Sequence, residues 1–145
     1  MTLNPIQPTS RQRYEQLEHT ADLALRIYGQ DLRELFANAA FAMFSQLAED
    51  IEHMATPISR QVAVEGIDYE SLLVNWLNEL LYLHDAKREI YAAFDIHELS
   101  PYQLKATVRG DRNQNIRSII KGATYHGLAI VQTAEGYTAT IIFDV

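Results

Sequence analysis

The sequence predicts an α+β fold: a single compact domain with a mostly antiparallel sheet and two amphipathic helices packed on one side of it. Three observations carry this. Apolar residues recur at helical spacing in two windows, one around residues 32–47 and one around 72–81. Most other apolar runs are short and alternate like strands. After residue 89 these runs follow one another through breaks at Pro101, Gly110, Gly127 and Gly136, and short turns favour antiparallel neighbours.

Taken in order, YEQLEH and LALRIYG read as two short strands. In the second, Leu23, Leu25 and Ile27 alternate with Ala24, Arg26 and Tyr28, and Gly29 closes the run. Asp31 is a good N-cap and Glu34, three residues on, completes a capping-box pattern. Leu32, Leu35, Phe36, Ala39, Ala40, Met43 and Leu47 then draw one apolar stripe. EDIEHMATPIS is expected as a loop and RQVAVEG as a strand. Asp68 caps a second helix with a wider apolar face of Leu72, Leu73, Trp76, Leu77, Leu80 and Leu81, and HDAKRE is a polar break after it. The runs IYAAFDIHEL, YQLKATVRG, SIIKGATY, LAIVQTAE and GYTATIIFDV are five further strand candidates.

A chain of 145 residues fits one domain able to bury roughly two thirds of its unfolded surface. With 48% apolar and 21% charged residues, composition is that of an ordinary globular protein. No apolar run approaches the roughly 20 residues that span a bilayer. The opening MTLNPIQPTSRQR has no apolar signal core and reads as a flexible tail over residues 1–13, so a cytoplasmic protein is expected. Without cysteine there is no thiol nucleophile and no zinc-thiolate site. The net charge of -7 argues against simple binding to a phosphate backbone, which rests on Lys and Arg. The charge is uneven, with acidic residues crowding 15–52 and Lys105, Arg109, Arg112, Arg117 and Lys121 gathered later. An acidic pole of this kind can steer a basic protein partner.

Phosphate loops, dinucleotide fingerprints, nucleophile elbows and HExxH pairs are absent from the sequence. Among the five histidines no spacing puts two on one helical face or on alternate strand positions, which speaks against a sequence-local zinc site. His19 and His126 stand out because each sits in a polar break beside a strand end. In the last run Tyr137, Ala139, Ile141, Phe143 and Val145 share one face, and Thr138, Thr140, Ile142 and Asp144 the other. Asp144 followed by the Val145 carboxylate concentrates hard oxygen donors. If Asp22 lies beside them, the carboxylates repel one another unless a cation sits among them, and oxygen-only ligation selects Ca²⁺ or Mg²⁺. By spacing alone the plainer reading is preferred, with Asp22 as a turn cap and Asp144 as a solvated residue.

The stretches LEHTADLALRIYG, LLVNWLNELLYL, IKGATYHGL and the closing FDV, in this order, together resemble the archease family of small cytoplasmic proteins that assist RNA ligation. The likeness runs over residues 14–145. It implies an archease-like domain with a divalent-cation site, Ca²⁺ foremost and Mg²⁺ second, formed by Asp22, Asp144 and Val145. It also implies a non-enzymatic role: assisting a GTP-dependent tRNA-splicing and RNA-repair ligase to acquire guanylate and turn over repeatedly, with a chaperone-like association with tRNA-modifying enzymes as an alternative. RNA would be engaged indirectly. Lys121, His19, His126 and Glu34 are candidate partner contacts, Glu34 as part of the same acidic surface. Two departures from the family pattern are Asn75, where an acidic residue is more usual, and the short DRNQNIRS segment, which lacks the His and Glu frequent there. A metal-dependent phosphoester hydrolase using the same carboxylates with His19 or His126 as base is the remaining competitor.

Overall fold

The strand Leu23–Gly29, paired with Gly136–Asp144, is the spine of the larger of two antiparallel sheets. In the computed structural model residues 12–18, 22–112 and 115–145 are described. The larger sheet contains β1 (Tyr14–Leu17), β2 (Leu23–Gly29), β6 (Gly122–Thr124), β7 (Ile130–Thr133) and β8 (Gly136–Asp144). Its order is β1-β2-β8, and the far edge of β8 is shared, β7 pairing with its first half and β6 with its last three residues. The smaller sheet has the order β3-β5-β4, from β3 (Ile58–Glu65), β4 (Glu89–Leu99) and β5 (Gln103–Arg112). The antiparallel sheet expected from the sequence thus comes as two. The helices, α1 (Leu32–Leu47) and α2 (Tyr69–Lys87), pack against both.

The alternation of the strands decides which face is buried. Leu25, Ile27, Ala139, Ile141 and Phe143 are buried under the helices, while Arg26, Tyr28, Thr138 and Thr140 are only partly covered on the other face. Because α1 meets β2 on one side and β4 on the other, apolar residues nearly encircle it: Leu35, Phe36, Ala39, Phe41, Ala42, Met43, Phe44 and Leu47 are all buried. Trp76 of α2 lies at the centre. Its indole N–H donates to the Phe36 carbonyl at 2.9 Å, which satisfies the one polar atom of an otherwise apolar side chain. Gly136 opens β8 at φ 138°, and a Cβ there would run into the Gly29 carbonyl, so this hairpin closes only on glycine.

Several sequence expectations are corrected. The reciprocal capping box belongs to α2, where the Asp68 side chain accepts from the Ser71 N–H and the Ser71 hydroxyl accepts from the Asp68 N–H. At α1 Asp31 does cap, but Glu34 takes the N–H of Gln30 at 2.7 Å instead of that of the cap residue. HDAKRE is not a break. The helix runs on to Lys87 because His84 is buried, with its Nδ1 2.9 Å from the Glu89 carbonyl oxygen, and Arg88 ends the helix in the left-handed region. EDIEHMATPIS contains a 3₁₀ turn at residues 51–53 that buries Ile51, and β3 already starts at Ile58. SIIKGATY yields only the three residues of β6, since the segment before it docks on the end of α1: the Arg117 N–H donates to the Leu47 carbonyl and the Ser118 hydroxyl to that of Gln46. LAIVQTAE is a strand only over Ile130–Thr133. Of the first 13 residues, 1–11 lie outside the described residues; the Arg13 carbonyl accepts from the Tyr28 N–H and its guanidinium lies 4.0 Å over the Phe41 ring.

One buried carboxylate ties the two outer strands of the smaller sheet, β3 and β4, to each other. Glu89 receives Arg60 through two bonds of 3.0 and 2.7 Å and the Tyr91 hydroxyl at 2.7 Å. The Arg60 bonds hold the Glu89 carboxyl below its ordinary 4.5 against the opposing push of burial. The Tyr91 phenol is pushed up, mainly by burial and then by Glu89. A depressed carboxylate contributes stability above its unfolded-state pKa and loses it as pH falls through the folded value. Glu89→Gln is therefore expected to be less stable than the parent protein at neutral pH, with the gap closing as pH falls below the ordinary carboxylate value of 4.5. Urea denaturation from neutral pH to below that value checks it, and a constant gap would assign the loss to packing alone.

Candidate functional site

The register of β2 on β8 pairs Leu23 with Phe143. Asp22 is the residue before Leu23 and Asp144 the residue after Phe143, so the two aspartates stand at the same end of neighbouring strands. On the other side of β8, Gly122 pairs with Asp144, and the Lys121 N–H donates to the Asp144 carbonyl at 2.7 Å. Phe143 is fully buried, and the alternation of the strand turns Asp144 outward into solvent. Val145 follows, half-exposed at 48%. One edge of the sheet thus gathers Asp22, Asp144, Val145 and Lys121. The Lys121 ammonium makes no ion pair with another described residue.

The other predicted residues fall elsewhere. Glu34 sits beyond Gly29, at the opposite end of β2, roughly 20 Å along the strand from Leu23 at about 3.3 Å per residue. Its carboxylate is engaged with the Gln30 N–H, which corrects the expectation that it shares the acidic edge. His126 lies in the turn after β6; its N–H donates to Thr124 Oγ1 at 3.3 Å and its surface is exposed. His19 lies outside the described residues.

The chemistry of the edge is that of oxygen donors. Among the described residues no group of three or more His, Cys, Asp or Glu side chains is arranged to hold a metal ion. The side chains on hand are two aspartates, hard ligands suited to Ca²⁺ or Mg²⁺ and not to a softer ion.

Sequence reading missed what holds this edge in place. β6 is three residues long, and the side of Ala123 away from β8 is occupied by a side chain of α2: the Asn78 amide donates to the Ala123 carbonyl at 3.2 Å and its oxygen accepts the Ala123 N–H at 2.8 Å. Asn78 thus imitates a neighbouring strand, one residue from the partner of Asp144. Two further polar groups tie the same helix outward. Glu70 accepts from the Ile130 N–H of β7, and Asn75, unassigned from the sequence, donates to the Glu65 carbonyl at the end of β3. The available signal was asparagine inside an apolar helix, a poor helix former at a costly position.

A small α+β domain with two helices against antiparallel sheets is the class these features define. It is shared with the solution structure of Methanobacterium thermoautotrophicum protein 1598, at 30% identity and a TM-score of 0.75 over 92% of this chain and 99% of that one. The crystal structure of an archease, possible chaperone, from Thermotoga maritima has the same fold, with a TM-score of 0.64 at 22% identity over 89% of this chain and 94% of that one. Residues 14–145 match the archease protein family (MTH1598/TM1083). The archeases of Methanosarcina mazei and Archaeoglobus fulgidus are each 36% identical to the chain, covering 95% and 92% of it and 99% of their own length. The chain belongs to the archease family. Among the described residues no helix is long and apolar enough to cross a membrane.

If Asn78 is the clamp on β6, Asn78→Ala is expected to speed amide hydrogen exchange at Ala123 and Lys121 selectively. Amides in β4 and β5 keep their protection. Uniform acceleration across both sheets would instead make Asn78 a general core residue.

Proposed function

We propose that this protein is a non-enzymatic activator of a GTP-dependent RNA ligase in the cytoplasm, acting in tRNA splicing and RNA repair through the edge that carries Asp22, Asp144 and Val145. The observation that supports it best is the β2–β8 register, which brings two strand-end aspartates together in a chain of the archease family. In this reading the Asp22 and Asp144 carboxylates, with the Val145 carboxylate as third donor, hold Ca²⁺ or Mg²⁺. The bound cation supplies positive charge that offsets the mutual repulsion of these groups and makes the edge attractive to anionic groups of the ligase and its nucleotide.

The residues of the chain then have separable tasks. Asp22 and Asp144 bind the ion. Gly122 and the Lys121 N–H fix the backbone of Asp144, and Asn78 holds β6 against them. The Lys121 ammonium, with no ion pair among the described residues, meets a phosphate or an acidic partner group, and His126, exposed past the other end of β6, is a separate partner contact. The protein promotes guanylylation and repeated turnover by docking, without transferring a group itself.

A chaperone-like role toward tRNA-modifying enzymes is the second reading. It is favoured by the exposed Tyr82, Ile119 and Tyr125, apolar surface that a broad-specificity partner site would use.

Multiple-turnover joining of a 3′-phosphate RNA by the cognate ligase with GTP separates the two. The protein is expected to accelerate turnover, and Asp144→Asn to lose at least about tenfold of that effect together with calorimetric Ca²⁺ binding. An Asp144→Asn protein that still accelerates the ligase fully would remove the carboxylate edge from the mechanism and leave the apolar surface as the working part.

A further inference from the structure

Among the described residues the edges of the two sheets are guarded in every case but one. β1 is four residues long, and its Tyr14 carbonyl accepts from the Gln12 amide. β7 is as short, with its Ile130 N–H on Glu70, and β6 carries Asn78 along its open side. β4 is longer, but its register slips twice and its Glu89 and Ile96 carbonyls are met by His84 and Arg33. Short strands, bulges and polar side chains of this kind keep an edge from pairing with another chain.

β3 is the exception. It is eight residues long, pairs with β5 without a slip, and has no strand on its other side. Two bonds fix the direction of its backbone groups. The Gly66 N–H donates to the Tyr102 carbonyl on the β5 side, whereas the Glu65 carbonyl, one residue earlier, takes the Asn75 amide from the other. Backbone groups alternate along a strand, so Arg60, Val62 and Val64 bond to β5, and Ser59, Gln61, Ala63 and Glu65 turn their N–H and C=O groups outward. All four are exposed, and of these outward groups only the Glu65 carbonyl has a partner among the described residues.

The side chains leave the edge open as well. Arg60 reaches over β5 to Glu89, and Gln61 is drawn over β5 on the opposite face, its Oε1 accepting from the Thr107 hydroxyl at 3.1 Å. That hydroxyl is itself 2.6 Å from His97 Nε2, which anchors the chain of bonds on β4. Both long side chains in the middle of β3 are thus pulled back from the rim, and Ala63 is too short to cover it.

The strand that fits this edge is β3 itself. Set antiparallel about a two-fold axis at Val62, Gln61 stands opposite Ala63 of the second copy and Ser59 opposite Glu65, so all four outward residues find backbone partners. On the other face Arg60 meets Val64, and no like charges oppose one another. Neighbouring registers are poorer: an axis at Arg60 sets two guanidinium groups side by side, and one at Gln61 places Glu65 against Pro57, which has no N–H. We infer that two copies of this chain associate edge to edge through β3, with the axis at Val62, joining their smaller sheets into one. Val62 and Val64 are already buried within each copy, so backbone bonds carry the association and the dimer is weak.

The full chain is tested by sedimentation equilibrium and by amide hydrogen exchange at rising concentration. A monomer–dimer equilibrium is expected. On association the amides of Ser59, Gln61, Ala63 and Glu65 gain protection, while those of Arg60, Val62 and Val64, already bonded to β5, do not change. Ala63→Pro removes an outward N–H without touching the bonds to β5, and is expected to stay monomeric where the parent protein dimerises. Gln61→Lys brings like charges beside the axis and is expected to weaken association about tenfold at low ionic strength while leaving the melting temperature in place, which separates lost pairing from lost folding. A chain that is monomeric at every concentration would overturn the inference and leave this edge to a strand of another protein. So would a dimer whose new protection falls on β1 or around Tyr82 and Ile119, or one that both substitutions leave intact.

Discussion

The pairing of β2 with β8 sets the distance between two carboxylates that sequence puts at opposite ends of the domain. Moving β8 by one residue would turn Ala139, Ile141 and Phe143 from the core to solvent and bring Thr138, Thr140 and Ile142 inward. Each large side chain so exposed costs about 1.5–3 kcal/mol, whereas like charges on facing strand positions cost less than about 1 kcal/mol. The core therefore wins, and Asp22 and Asp144 stay together although they repel. The acidic edge is a consequence of hydrophobic register, reinforced by the Thr138 hydroxyl donating to the Ile27 carbonyl 111 residues away in sequence.

α2 contributes in a different manner. Its apolar face fills the space between the sheets, and its polar residues reach out of that layer to β3, β6 and β7. Such side chain-to-backbone bonds are worth about 1 kcal/mol each, small beside the burial of Trp76 or Leu77, yet they are directional where burial is not. Packing determines that the helix lies between the sheets; Asn75, Asn78 and Glu70 determine which strand ends it touches.

Local features were legible in the sequence and long-range ones were not. Alternation located β2, β3 and β8, helical spacing located α1 and α2, and Asp31 and Asp68 marked where the helices start, because each signal lies within a few residues of what it specifies. The boundaries that failed were settled by tertiary partners: His84 buried against the Glu89 carbonyl prolonged α2, and the docking of residues 117–118 on α1 shortened β6. The alternating faces of β8 were readable, and so was the outward direction of Asp144. Its proximity to Asp22 was not, since no spacing encodes the register of strands so far apart; only the likeness to a known family joined them. Asn78 and the His97–Thr107 pair were invisible for the same reason, each being defined by a partner on another element.

The central position of β8 also governs how the molecule is made. β2 has β1 on one edge, and its other edge is a row of seven backbone positions that only β8 satisfies. Until that last strand has been synthesised, the earlier elements expose an open, apolar β-edge of the kind that templates pairing between chains. Non-local pairing of this sort is slow, so every nascent copy passes through an interval in which it is prone to aggregate. A truncation removing β8 would therefore do more than delete the Asp144 edge: it would leave a chain unable to close its larger sheet, a substrate for proteolytic quality control.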